Sequence, residues 1–316
     1  MTLHTPLIQT DLLTKVYGGR KKALDGLSLT IERGEIFGYL GPNGAGKTTT
    51  IRLLLDLIRP TRGSARVFGL PVITESKAIR ARVGYLPAEL NLWQRYTAQQ
   101  VIDYAARARG LRDLSFANQL AARLEFDLSK KIKNYSTGNK RKLGLILALM
   151  HKPDLLILDE PSSGLDPLMQ QTFNQLMVEA RANGQTVFLS SHVLSEVQTI
   201  CDRVGILRDG QLKAVERVDR LTHADFKWVT VQARAPISAE ALSSVAGASL
   251  VTIDGTTARM RLSGDFDPLL RAISPYYVQD VRVQEPTLEE IFLTFYGGDP
   301  RDNAAVSDAT AAKAGE

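Results

Sequence analysis

The hydrophobic pattern of the first sixty residues predicts two strands and a helix. Every second residue from 27 to 31 is apolar, which is typical of a half-buried strand. Residues 35–40 are mostly apolar and predict a second strand that leads directly into a run of glycines. Apolar side chains then recur at helical spacing over residues 47–58, and Pro60 follows, so we expect a helix there.

Strands and helices continue to alternate through the middle of the chain. Residues 99–109 and 114–124 have helical patterns and predict a helical insertion between sheet strands. Residues 154–159, of which 155–158 are continuously apolar, predict a central strand covered on both faces, and residues 185–191 repeat that character after a helix over 168–181. This alternation predicts an α/β fold with a mainly parallel sheet.

A hairpin and a second, smaller unit complete the pattern. Asp209 and Gly210 suit a tight hairpin turn between residues 204–207 and the residues from Gln211 onward, and we expect a boundary near Leu221. Beyond it, a small α+β domain is predicted from strands and helices over residues 227–232, 238–245, 267–273 and 277–283, with further strands on either side of Asp254 and Gly255 and a last helix after the capping box of Thr287 and Glu290. The tail after Gly298 has no periodicity and is predicted to be disordered.

Composition indicates an ordinary globular protein of the cytosol. The chain has 316 residues, of which 44% are hydrophobic and 23% charged, so it can bury a full core. The longest apolar run, residues 143–150, is far short of the roughly 20 residues that cross a bilayer. No secretory signal is visible at the N-terminus, and the single Cys201 cannot form an internal disulfide.

The net charge of +5 does not by itself indicate a nucleic-acid partner. Lys and Arg are spread along the chain, and two short clusters lie at residues 130–133 and 140–142. We interpret these clusters as solvated helix faces in preference to a nucleic-acid patch, so no nucleic acid is expected as a partner.

The glycine run has the pattern G-x-x-x-x-G-K-[ST] of a phosphate-binding loop. Its glycines let successive backbone N–H groups point at phosphate oxygens, Lys47 reaches the β- and γ-phosphates, and Thr48 offers its hydroxyl to Mg²⁺. The strand before the loop and the helix after it favour this interpretation over a simple glycine-rich turn. The residues expected to bind ATP here are Gly41, Pro42, Asn43, Gly44, Ala45, Gly46, Lys47, Thr48 and Thr49.

An acidic pair supplies what a phosphate loop lacks. Asp159 ends the apolar strand and is the expected Mg²⁺ partner, and Glu160 is the candidate general base. On these two residues alone, a solvated acidic loop remains an equal alternative.

With the residues around this pair, a family resemblance becomes specific. Residues 156–161, followed by 163–167 with Asp166, resemble the Walker B motif and D-loop of ATP-binding-cassette (ABC) ATPases. Residues 135–142 are similar to the signature motif, whose Ser and Gly, here Ser136 and Gly138, contact the γ-phosphate held by the opposing subunit. Without the resemblance, Ser136 would be interpreted as a helix N-cap.

Two further residues fit the family's order. Tyr17 resembles the aromatic side chain that stacks on adenine, although an exposed tyrosine there is more often a packing residue. His192 resembles the switch histidine that contacts the γ-phosphate, which makes Glu160, His192 and Lys47 the catalytic candidates.

The chain departs from the family pattern in two places. Ala88 stands where most cassettes have Gln, and Glu89 follows it as an uncertain substitute near Mg²⁺. The signature carries Thr137 in place of a glycine, and Tyr135 and Asn139 in place of Leu and Gln. Because Ser136 and Gly138 are kept, the cross-subunit contact is still expected.

The resemblance also implies an architecture. It implies a P-loop NTPase (ABC ATPase) core over residues 5–222 with a helical subdomain at about 88–145, a small α+β accessory domain over 225–297 and a disordered tail over 298–316. Residues 285–292 resemble the C-terminal extension of ATPases from ABC-2-type exporters, including multidrug and antibiotic systems. That extension serves either dimer packing or a regulatory ligand.

The same resemblance implies partners. Each complete site needs two cassettes head to tail, so a second ABC ATPase subunit is expected, with a homodimer preferred and a heterodimer left open. Separate transmembrane permease subunits would bind near residues 89–96 and hold the chain at the inner face of the cell membrane. The alternative is a soluble ABC ATPase that acts on ribosomes or DNA. A GTPase is disfavoured, because Asn139 and Lys140 do not continue into the guanine-selecting pattern.

Overall fold

The chain divides into two compact units between Val218 and Asp219. The computed structural model describes residues 5–19, 21–221, 226–284 and 286. The expected last helix with its Thr287 and Glu290 capping box, and the tail from residue 298, lie outside these described residues.

The main sheet of the first unit has six strands. They are β3 (Ile36–Leu40), β6 (Val83–Leu86), β7 (Leu155–Asp159), β8 (Thr186–Ser191), β9 (Arg203–Arg208) and β10 (Gln211–Arg217). Their order across the sheet is β10-β9-β3-β8-β7-β6, and all neighbours are parallel except the hairpin pair β9 and β10. The mainly parallel sheet and the hairpin at Asp209 are therefore confirmed.

A second, antiparallel sheet belongs to the same unit. Its strands are β1 (Ile8–Tyr17), β2 (Lys21–Ile31), β4 (Arg62–Val67) and β5 (Leu70–Pro71), in the order β2-β1-β4-β5. The strand predicted at residues 27–31 lies in this sheet, whereas β1 and β4 were not predicted. Irregular register interrupts the alternation of β1, which explains its weak sequence pattern. Leu13, Leu27 and Phe188 join both sheets in one buried core.

Eight helices are described in the first unit and at its end. They are α1 (Lys47–Leu54), α2 (Ser76–Ala81), α3 (Ala98–Ala108), α4 (Ser115–Arg123), α5 (Thr137–Leu149), α6 (Pro167–Ala182), α7 (Leu194–Ile200) and α8 (Val218–Leu221). Helices α3 to α5 form the predicted helical insertion between β6 and β7, and Thr97 and Gln100 form a capping box at the start of α3. In the described part of the chain, every helix lacks the length or apolar character needed to cross a membrane.

Helix α1 is shorter than the sequence predicts. The expected end was Ile58, but the helix ends at Leu54 because Asp56 adopts a left-handed conformation with φ 55°. The Asp56 N–H donates to the Leu53 carbonyl and the Leu57 N–H to the Arg52 carbonyl, which is the Schellman pattern of helix termination. Glycine usually fills this position, so the sequence carried no clear stop signal.

The second unit is a four-stranded antiparallel sheet with two helices. Its elements are β11 (Phe226–Ala233), α9 (Ala239–Ser243), β12 (Ala248–Asp254), β13 (Thr257–Ser263), α10 (Asp267–Ile273) and β14 (Val278–Gln284). The strand order is β12-β13-β11-β14, and Val229, Met260 and Leu269 lie in its buried core. The predicted α+β sequence of elements is confirmed over these residues, with α9 shorter than expected.

Candidate active site

Three neighbouring parallel strands end at the same edge of the main sheet. In the register, Leu40 of β3 pairs with Ser191 of β8, and Asp159 of β7 pairs with Ser190. The carboxyl edge of a parallel sheet is where ligands bind in open α/β folds. The strand order therefore brings the phosphate loop, the acidic pair and His192 to one place.

The phosphate loop is shaped by close backbone contacts. A Cβ at Gly41 would lie 2.3 Å from the Leu207 carbonyl oxygen, and one at Gly46, where φ is 112°, would lie 2.4 Å from the Ala23 carbonyl oxygen. The Gly210 N–H of the β9–β10 turn donates to the Ala45 carbonyl and braces the loop from outside. Both glycines are thus required for the loop to sit this deep beside the hairpin.

Lys47 begins α1 and is 6% exposed. Its Nζ donates to the carbonyl oxygens of Gly41 at 2.5 Å and Pro42 at 3.3 Å. The same Nζ lies 3.2 Å from Glu160 Oε1. The ammonium group therefore connects the loop to the end of β7.

Thr48, Asp159 and Ser190 form a hydroxyl–carboxylate–hydroxyl chain. The Thr48 hydroxyl donates to Asp159 Oδ2 at 2.7 Å, and the Ser190 hydroxyl donates to Asp159 Oδ1 at 2.5 Å. Hard oxygen donors of this kind suit Mg²⁺, which takes one or two carboxylates and fills its remaining positions with phosphate oxygens and water. The described residues contain no group of three or more His, Cys, Asp or Glu side chains that could hold a metal ion by themselves.

Glu160 lies at the centre of the site in a left-handed conformation with φ 51°. Its Oε2 is 2.7 Å from His192 Nδ1, while Oε1 is buried and meets the Lys47 ammonium without a well-oriented hydrogen bond. The Glu160 N–H is held by the carbonyl and the hydroxyl of Ser190. A non-glycine residue in this conformation costs on the order of 1–3 kcal/mol and persists when its surroundings fix it.

Two residues that sequence reasoning missed support this arrangement. Glu196 on α7 accepts hydrogen bonds from the hydroxyls of Ser162 and Ser191, and so ties together the segments that follow β7 and β8. Ser190 was predicted as part of a strand and not as a partner of Asp159. The signal that could have identified it is a serine at the end of a buried strand in a chain where another buried strand ends in an acid.

Arg141 is the third missed residue and corrects a prediction. The sequence placed it in a solvated basic cluster, but it is 5% exposed and donates to the carbonyl oxygens of Pro87, Ala88 and Glu160. Burial lowers the pKa of Arg141, and the charges of Asp159 and Glu160 oppose this effect only in part. Its position one helical turn from the buried Leu145 could have indicated the inward orientation.

The signature residues and Asp166 make local contacts. Ser136 Oγ accepts from the Asn139 N–H at 3.2 Å and caps α5, and Asp166 accepts from the Met169 N–H at 2.9 Å and caps α6. Both side chains are on exposed residues. A Cβ at Gly138 would lie 2.8 Å from the Gly164 carbonyl oxygen. The structure thus places Gly138 next to Gly164, two residues before Asp166, while the hydrogen bonds of Ser136 and Asp166 are local.

The remaining predicted residues lie at the surface or the loop rim. Tyr17 ends β1, is 41% exposed and has Lys15 Nζ 5.2 Å from its ring centroid. Glu89 is exposed, directly after the Ala88 carbonyl that Arg141 binds. Asn43 and Gly44 are exposed at the loop tip, and Thr49 is half-buried in the first turn of α1.

Comparison with known proteins gives consistent relatives. The family described as "ABC transporter" matches residues 24–163. The linearmycin resistance ATP-binding protein LnrL of Bacillus subtilis is 31% identical over 94% of this chain and 100% of its own length. The bacitracin transport ATP-binding protein BcrA of Bacillus licheniformis is 37% identical over 72% of this chain and 74% of its own length.

Solved structures are similar over about two thirds of the chain. An ATP-binding subunit of an ABC transporter superposes with a TM-score of 0.63 at 30% identity, covering 68% of this chain and 91% of its own. The dimeric structure of a bacterial ABC transporter cassette, at 23% identity and a TM-score of 0.62, covers 67% of this chain and 98% of its own and supports the fold alone.

Proposed function

The chain belongs to the family of ABC transporter ATP-binding proteins, and on that premise we propose that it is one half of an ATPase dimer that drives a separate membrane exporter. As a member it is an ATPase with the α/β P-loop fold that its motifs predict. The observation that carries the proposal is Glu160 held between Lys47 at 3.2 Å and His192 at 2.7 Å. In this proposal residues 5–222 are the nucleotide-binding domain and 225–297 an accessory domain.

Each group in the site has a chemical task. The loop N–H groups and Lys47 bind the β- and γ-phosphates of ATP. Thr48 and Asp159 would hold Mg²⁺, which when bound neutralises phosphate charge. Glu160 accepts the proton of the water that attacks the γ-phosphorus as the bond to the ADP oxygen breaks. His192 Nδ1 lies 2.7 Å from Glu160 Oε2, and in the tautomer with a proton on Nδ1 it donates to that oxygen and orients the carboxylate.

The exposed signature residues support a dimer. Ser136 and Asp166 are exposed, and the side chain of each accepts a hydrogen bond from a backbone N–H at the start of its own helix. A head-to-tail second copy would place its own Ser136 and Gly138 against the γ-phosphate bound by Lys47. We take the homodimer as the simplest such assembly.

An exposed aromatic groove supports a membrane partner. Trp93, Tyr96 and Tyr104 are each more than half exposed, with the Trp93 ring centroid 4.9 Å from that of Tyr104 and 6.2 Å from that of Tyr96. Contiguous exposed aromatic side chains mark interaction surfaces. We infer that a segment of a permease docks here and holds the chain at the inner face of the membrane. The names of BcrA and LnrL make an antibiotic-like small molecule the proposed export substrate.

The test is whether a membrane protein binds through this groove. Trp93→Ala combined with Tyr104→Ala should abolish recovery of a detergent-solubilised, membrane-spanning protein with the tagged chain. Tyr277→Ala, which removes a 70% exposed tyrosine from the second unit, is the matched control and should leave recovery unchanged. Equal recovery with both variants, together with co-sedimentation with ribosomes or salt-sensitive DNA binding, would instead support a soluble ATPase without transport.

A further inference from the structure

Arg141 is a buried cation whose guanidinium binds main-chain carbonyls. Among the described residues no carboxylate pairs with it directly, and its donors go to Pro87 at 2.7 Å, Ala88 at 3.1 Å and Glu160. Burying a charge is costly unless it is fully hydrogen-bonded, and an apolar side chain of similar volume avoids that cost. A helix-packing role alone would therefore be served as well by a residue such as methionine.

The three acceptors belong to two different segments of chain. Nη1 binds the carbonyls just beyond β6, and Nη2 binds the carbonyl of Glu160 just beyond β7. A guanidinium is planar and holds its N–H directions in a fixed fork, whereas a lysine ammonium is a point charge on a flexible stem. Arg141 therefore fixes the distance and direction between α5, the end of β6 and Glu160.

Tight packing along α5 restricts the movement of Arg141 relative to the carbonyl groups that it binds. A Cβ at Gly144, one turn after Arg141, would lie 2.5 Å from Leu86 Cδ1 and 2.9 Å from Leu90 Cδ1. At the start of α5, Gly138 approaches the Gly164 carbonyl equally closely. The helix is therefore closely packed against Leu86 and Leu90 on one side and against Gly164 on the other.

Glu160 needs such a brace because its backbone is strained. With φ at 51°, the residue keeps its conformation only while both of its peptide groups are held. Ser190 holds the N–H, and Arg141 holds the carbonyl. We propose that Arg141 is a positioning residue that sets the place of the Glu160 carboxylate and transmits displacements of residues 86–90 and of α5 to it. The inference rests on the proposed role of Glu160 as general base.

The main test is Arg141→Lys in the full chain, with ATP hydrolysis and binding of a fluorescent ADP analogue measured side by side. Because Lys47 and Thr48 are untouched, we expect kcat to fall at least about tenfold while KM for ATP and ADP affinity stay within about twofold. Arg109→Lys is the matched control, since Arg109 also donates to two carbonyls, those of Ala81 and Val83 before and at the start of β6. That control should stay within about twofold of the parent in all three quantities.

A second variant tests the transmission without altering Arg141. Gly144→Ala pushes on the flexible ends of Leu86 and Leu90, and it should lower kcat several-fold with ADP affinity kept. This variant also keeps the proposal testable if Arg141→Lys does not fold.

The outcomes separate this inference from the proposed function. The positioning role is overturned if Arg141→Lys has the same kcat as Arg109→Lys. It is also overturned if Arg141→Lys loses kcat and ADP affinity in parallel, because Arg141 would then support the fold in general. Glu160→Gln is measured alongside. If that variant keeps the parental rate, the base role itself fails. If it is inactive while Arg141→Lys is unaffected, the positioning role alone fails. The double variant should be no slower than Glu160→Gln.

Discussion

The phosphate-loop side and the signature side of the first unit differ in where their polar side chains find partners. On the loop side, Lys47 and Glu160 pair with each other, and Thr48 and Asp159 do the same, across more than a hundred residues of sequence. On the signature side, Ser136 bonds to a backbone N–H three residues away. The sheet therefore brings the loop-side partners together within one chain, whereas Ser136 lies at an exposed helix start and is available to a second copy.

The largest expected effect comes from breaking the loop side. Lys47→Ala removes a buried ammonium from the position that the phosphates occupy, and losing charge-assisted hydrogen bonds should weaken ATP binding about 100-fold or more. Equilibrium titration with a fluorescent ATP analogue measures the loss. Lys22→Ala, which removes a lysine whose side chain is 60% exposed, should leave affinity unchanged. Retained affinity in Lys47→Ala would contradict the phosphate-loop assignment.

The signature side is tested by a substitution that keeps the helix cap. Aspartate caps helices as well as serine does, but its carboxylate would face a γ-phosphate, so Ser136→Asp should lower kcat at least about tenfold without destabilising the chain. Steady-state ATPase rates and thermal unfolding measure the two quantities. Thr97→Asp makes a similar change at the start of α3 and should leave the rate unchanged. A fully active Ser136→Asp would mean that Ser136 is a helix cap and nothing more.

Mixing the two variants tests whether the sides belong to different copies. In a head-to-tail dimer of Lys47→Ala with Ser136→Asp chains, one site carries both changes and the other carries neither. Random pairing should therefore restore about a quarter of the parental rate, if each site works independently. A site built within one chain would gain nothing from mixing, because each copy would keep its own defect.

The same contrast explains what the sequence could reveal. Contiguous motifs predicted the loop, the acidic pair and His192, because strand ends of a parallel sheet converge wherever the strands alternate with helices. The family and the ATPase activity that these motifs predict are confirmed. Side-chain pairs such as Lys47 with Glu160 depend on strand order, which no local pattern carries.

Local sequence signals also failed in three places. The end of α1 was missed because Asp56 takes the left-handed position that glycine usually fills. The burial of Arg141 was missed because its place in a basic cluster predicted a solvated residue, whereas its helical spacing from Leu145 indicated the buried face. β1 was missed because irregular register breaks its alternation.

The smallest expected effect concerns His151, which belongs to the scaffold of the loop side and not to its catalytic groups. Burial, together with the charge of Arg109, lowers the pKa of His151 to about 4, and its Nε2 contacts the Val83 carbonyl at the start of β6, at the opposite end of that strand from the site. The unfolded chain binds the proton at about pH 6.5, so the folded state should lose stability as pH falls from about 6.5 to 4.

Thermal unfolding across that pH range should therefore show a smaller loss of stability for His151→Gln than for the parent. The ATPase pH profile near neutrality should be unchanged. His192→Gln should instead lower kcat at neutral pH, because His192 Nδ1 lies 2.7 Å from Glu160 Oε2 in the catalytic site. Equal stability slopes in His151→Gln and the parent would remove His151 from the acid response.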